Sequence, residues 1–221
     1  MSQLRAYPFA FALLAMTLLY NVAEGVIAIA SGLRAGSLVL LSFGADSYLE
    51  VLAAAAVMWR LSYLDEEAGE RAEGKALRFI GVTFLTLAAA VVFQAVYALA
   101  VSEGASESRI GIALLTASLI IMPVLALAKL RTAAKSNLPV LAAEAKETVA
   151  CSYLSLTALA GLLATAIFGA WWIDSLAALL MAPWLVREGL EGIRGDACFD
   201  GAKTCWCRGC WFGLRGCTDT A

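Results

Sequence analysis

The chain has 221 residues, of which 62% are hydrophobic and 15% charged, with 16 basic and 18 acidic side chains and no histidine. Its mean hydropathy of +0.80 lies outside the range of a water-soluble globular domain, so the composition predicts an integral membrane protein. A formal charge of −2 comes with no basic patch for nucleic acid, and without histidine no Ser-His or Cys-His pair can activate a nucleophile, so an enzyme is not expected.

Six apolar runs, each long enough to cross a bilayer, predict an all-α polytopic protein with six transmembrane helices at 7–31, 36–61, 75–101, 108–130, 138–168 and 171–193. The first run follows Arg5 and contains Ala28-Ile29-Ala30, which resembles a signal-cleavage site. Its length, and Asn21 with Glu24 near its centre, fit a helix retained in a bundle better than a removed leader. Gly32 with Gly36 marks the break before the second run. The charged stretch 65–75 reads as a solvated cytoplasmic loop before the third, and 103–109 separates the third from the fourth. Ser136 or Asn137 is placed to cap the fifth helix, with Pro139 in its first turn. Gly169 precedes the sixth, where Trp171 and Trp172 suit the membrane interface and Asp174 an N-cap.

With the N-terminus inside, Arg5, Arg60, Arg71, Lys75, Arg78, Lys129, Arg131, Lys135, Arg187 and Arg194 all fall on the cytoplasmic side, and only Arg34 and Arg109 fall outside. Both termini are therefore expected in the cytoplasm, with one membrane domain over 1–195, a cysteine-rich tail over 196–221, and a plasma-membrane location, the inner membrane in a bacterium. No internal repeat is evident, since Asp46-Ser47 and Asp174-Ser175 match only as dipeptides.

The residues that stand out lie inside the spans. An ionised carboxylate at the centre of a spanning helix costs roughly 2.5 to 3.5 kcal/mol on insertion scales, and Asp46 and Glu50 place two on one face of the second helix. Glu144, Glu147 and Cys151 form a stripe at i, i+3 and i+7 on the fifth. The two helices run antiparallel, and Asp46, roughly 15 Å from the outer end at 1.5 Å per residue, has Cys151 at similar depth. Asp46, Glu50, Glu147 and Cys151 thus make a candidate four-ligand site for a divalent cation, with oxygens at roughly 2.0 to 2.2 Å and sulfur at about 2.3 Å from a zinc-sized ion. Clustered carboxylates cannot all stay ionised without the ion, which provides a route to metal/proton exchange. Thiolate beside carboxylates favours Zn, Co or Cd over Mg. Asn21 and Glu24 are candidates for the same cavity, and Glu144 for an access position nearer the cytoplasm. The competing view is that these acids are packing residues paired with Lys146 or with backbone, that Asn21 and Glu24 supply an interhelical hydrogen bond and a protonated Glu, and that Cys151 is a small apolar filler.

Asn21-x-x-Glu24-Gly25, Gly32-x-x-Ala35-Gly36-Ser37, Asp46-Ser47-x-x-Glu50 and Trp172-x-Asp174, opening a last helix that ends near Glu188-Gly189, resemble in their order the membrane domain of the cation diffusion facilitator transporters. The resemblance covers about 20–195 and implies a homodimeric exporter of Zn or a similar ion, working by proton exchange and alternating access, with the ion between the second and fifth helices. The family's acidic pair is commonly Asp-x-x-x-Asp and its fifth-helix motif His-x-x-x-Asp or Asp-x-x-x-Asp, whereas here Asp46 pairs with Glu50 and Glu147 with Cys151. Many members also carry a folded cytoplasmic domain after the sixth helix, so the match is closest to a short branch without one.

Five cysteines, Cys198, Cys205, Cys207, Cys210 and Cys217, follow the last helix. In a reducing cytosol Cys205-x-Cys207-x-x-Cys210, with Cys217, reads as a thiolate metal site rather than a disulfide framework, against an inert tail or acylation at Cys198. Two other functions fit the residues: a proton-coupled transporter of small solutes or organic cations, with Tyr48 and Tyr153 near the acids, and a non-transporting metal-sensing subunit in which the tail acts. The partners expected are a divalent cation, protons and the lipid bilayer, with no tightly bound cofactor.

Overall fold

The computed structural model describes residues 7–35, 38–63, 66–101, 109–168 and 172–194. They form six helices, α1 (Pro8–Ala35), α2 (Leu38–Leu61), α3 (Glu66–Val101), α4 (Arg109–Ser136), α5 (Pro139–Phe168) and α6 (Ile173–Arg194), and no strand occurs among the described residues. The cysteine cluster and Trp171 lie outside them, as does the side chain of Asp174.

The polarity of the bundle is inverted relative to a soluble protein. Leu19, Phe93 and Leu180 are more than 70% exposed, whereas Asn21, Glu24, Asp46, Glu50, Lys129, Glu144 and Glu147 are buried. Apolar groups face outward at no cost only where the surroundings are themselves apolar, so the chain is a membrane protein. Four helices, α1 to α4, are long and apolar enough to cross a membrane.

Three boundaries differ from the sequence expectation. The charged stretch taken for a loop is the start of α3, which runs unbroken from Glu66. Its Glu, Ala, Arg and Lys residues are strong helix formers, the Glu67–Arg71 ion pair spans one turn at 3.1 Å, and Glu73 bonds Arg60 of α2 at 2.8 Å. Neither Ser136 nor Asn137 caps α5. Asn137 adopts φ 50°, and the Leu138 amide donates to the Ala133 carbonyl at 3.0 Å, which is the left-handed closure that ends α4. The fifth helix then starts at Pro139, whose missing N–H is no loss in a first turn. Finally, α6 begins at Ile173, so Asp174 falls in its first turn instead of before it.

The helices pack through small residues. At the α1–α2 crossing a Cβ on Gly44 would meet Ile29 Cγ1 at 2.7 Å, and one on Gly25 would meet Tyr48 Cε2 at 2.9 Å. The approach of α3 to α6 is closer still, because a Cβ on Gly81 would lie 2.6 Å from both the Gly189 carbonyl and the Ile193 amide nitrogen. Those neighbours are backbone and cannot swing aside. Gly81→Ala is expected to push α3 and α6 apart and to lower stability by about 1 to 3 kcal/mol, read as a fall in the unfolding midpoint of the detergent-solubilised protein; an unchanged midpoint would show that the helices do not approach this closely. In this arrangement α5 is central, in contact with α2, α3, α4 and α6.

Candidate functional site

The buried polar groups form a column along the bundle, with α1, α2, α4 and α5 contributing. On α5, Glu144 lies about 8 Å from the helix start and Cys151 about 18 Å, at 1.5 Å per residue, with Glu147 and Thr148 between them. Antiparallel α2 brings Asp46 to the Cys151 level and Glu50 to the Thr148 level.

At the Cys151 level, the thiol is 1% exposed and within hydrogen-bond reach of the Asp46 carboxylate. The other Asp46 oxygen, Oδ2, has no hydrogen-bond partner. Leu115, Met122 and Phe43 belong to the same buried apolar cluster as the cysteine. Glu24 of α1 adjoins this level: its carboxylate accepts from Tyr20 Oη at 2.9 Å and from Ser47 Oγ of α2 at 3.1 Å. The expected interhelical bond therefore belongs to Glu24. Asn21 donates within its own helix, to the Thr17 carbonyl at 3.0 Å, and leaves its Oδ1 without a partner.

At the next level the structure contains a group that the sequence reading assigned elsewhere. By sequence Lys129 falls at the cytoplasmic end of a helix that stops at 130, but α4 continues to Ser136 and carries Lys129 fully into the interior, at 0% exposure. Its ammonium lies 2.6 Å from Glu144 Oε1 and 3.7 Å from Glu50 Oε1, and donates to Thr148 Oγ1 at 2.8 Å. Thr148 in turn donates to Glu50 Oε1. Glu144, the candidate for the access position, is fully buried here, with the Lys129 ammonium against its Oε1. Lys146 does not serve the acids of the column: it pairs with Glu188 of α6 at 2.6 Å. The helical C-cap signal at Asn137 was the clue that α4 extends past Leu130 and that Lys129 sits well inside it.

Glu147 is the least compensated group. Both its carboxylate oxygens are buried and make no hydrogen bond of good geometry; the Thr83 hydroxyl beside them donates to the Ile80 carbonyl at 2.6 Å. Of the four candidate ligands, then, Asp46 and Cys151 are together, Glu50 is drawn towards Lys129, and Glu147 is joined to none of them by a hydrogen bond. Among the described residues, no three acidic or thiol side chains converge closely enough to hold one metal ion.

The described residues define an all-helical membrane bundle whose interior holds five buried carboxyl groups and one buried ammonium. No protein-family model matches the chain, and no curated protein matches it.

Proposed function

We propose that the protein is a divalent-cation/proton antiporter of the Zn, Co or Cd type, moving its ion by alternating access through a site between α2 and α5. The single observation that carries this reading is the charge imbalance of the interior. Asp46, Glu50, Glu144 and Glu147 each keep at least one buried oxygen with no hydrogen-bond partner, and Lys129 is the one buried ammonium among the described residues. Four acids facing one ammonium in a low-dielectric interior cannot all be ionised, so unless a cation is bound the column holds protons. A divalent cation entering among Asp46, Glu50, Glu147 and Cys151 neutralises them instead, and their protons leave. To hold one ion at this site, Glu50 has to turn from Lys129, and Glu147 has to move towards Asp46 and Cys151.

Six spans with both termini in the cytoplasm belong to this proposal, supported by the basic residues other than Lys129 that share one side. So do the homodimer and the plasma-membrane setting that the family resemblance implies.

Purified protein in proteoliposomes, with a pH-sensitive dye inside, tests the reading. A Zn2+ or Cd2+ gradient should drive proton movement in the opposite direction, and Asp46→Ala should abolish it while the variant retains its helical content. Equal flux in the variant and the original would refute the site.

A further inference from the structure

We propose that Lys129 is a tethered counter-cation: it occupies the Glu50 arm of the site when no ion is bound and thereby sets the charge that an incoming ion must carry. This rests on the cation-transport reading and adds a specificity-determining residue that lies on α4, outside the α2 and α5 ligand set.

The geometry of the ammonium is asymmetric. Its contact with Glu144 is a full charge-assisted hydrogen bond at 2.6 Å, whereas Glu50 lies at 3.7 Å, beyond hydrogen-bond length, and is joined to it through the Thr148 hydroxyl. Glu144 is therefore the anchor and Glu50 the releasable arm. One Glu50 oxygen, Oε2, is already without a partner. Glu144 and Thr148 are one turn apart on the same face of α5, so both stay fixed to Lys129 while Glu50, on α2, turns away.

Competition follows from charge. To recruit Glu50, an ion has to replace the attraction of an ammonium and bear its repulsion, with little water to screen either. Attraction to the carboxylates and repulsion from the ammonium both scale with the ion's charge, but the cost of releasing Glu50 from the ammonium does not, so a divalent cation meets that fixed cost with about twice the net gain of a monovalent one. Lys129 thus excludes Na+ and K+ while lowering affinity for the divalent ion, which keeps that ion releasable. After release the ammonium retakes Glu50 and no uncompensated carboxylate is left at that level.

Removing Lys129 alone strands Glu144, so the test uses the charge-balanced pair Lys129→Met/Glu144→Gln and, separately, Thr148→Val, which deletes only the bridge. Zn2+ and Cd2+ are titrated into purified protein with and without excess Na+. The double variant should bind Zn2+ about tenfold tighter or more, and Na+ should now compete, which it does not in the original protein. Thr148→Val should shift Zn2+ affinity in the same direction by a smaller factor, and Lys129→Arg, which keeps the charge, should restore exclusion of Na+. Zn2+ binding by the original protein with unchanged or weaker binding in both variants would overturn this proposal alone. Binding of neither ion by the original protein or any variant would overturn the cation reading itself and this inference with it.

Discussion

Glu147→Gln is expected to eliminate cation-driven proton flux in proteoliposomes and to leave the bundle at least as stable as before. The two effects separate because the Glu147 oxygens accept no hydrogen bond. A neutral amide of nearly the same shape breaks no hydrogen bond that holds α5 in place, and it replaces a carboxyl that the charge balance of the interior already keeps protonated, so unfolding should shift by no more than about 1 kcal/mol. Transport depends on the carboxylate alternately holding a proton and an ion, which an amide cannot do. Flux measured beside thermal unfolding gives both results on one preparation. Full flux in Glu147→Gln would remove this residue from the site, and a large loss of stability would mean that its oxygens are bonded after all.

Lys129→Met should have the opposite profile, a loss of stability of about 3 to 5 kcal/mol, because removal of one partner leaves the other as an uncompensated buried charge. Lys129 and Glu144 are both fully buried, so little water reaches either to offset the loss. Restoring balance with Glu144→Gln should recover most of it. Denaturant unfolding of the single and double variants in detergent measures the difference, and a single variant as stable as the original would mean that Glu144 is already protonated and that no ion pair exists to break.

By contrast, the Lys146–Glu188 pair between α5 and α6 is partly exposed, at 26% and 12%, and stabilises far less than its 2.6 Å length suggests. The two lysines lie seventeen positions apart in sequence, 129 and 146, and only their surroundings make one structural in the interior and the other peripheral.

What the sequence by itself determined is the set of apolar runs, the helical class and the presence of acids within them. Hydropathy is a property summed over a window, and a carboxylate in such a window is anomalous whatever surrounds it. The pairing of those acids was decided by tertiary structure. Whether Glu50 faces Asp46 or Lys129 depends on how far α4 runs, since ending that helix at Leu130 would leave Lys129 at a membrane surface, while ending it at Asn137 places the ammonium between α2 and α5. The close approach of α3 to α6 was equally hidden, because a glycine in sequence does not say whether it serves a turn or a crossing. Local composition is read one segment at a time, but an ion pair is a distance between segments, and only the packed bundle sets that distance.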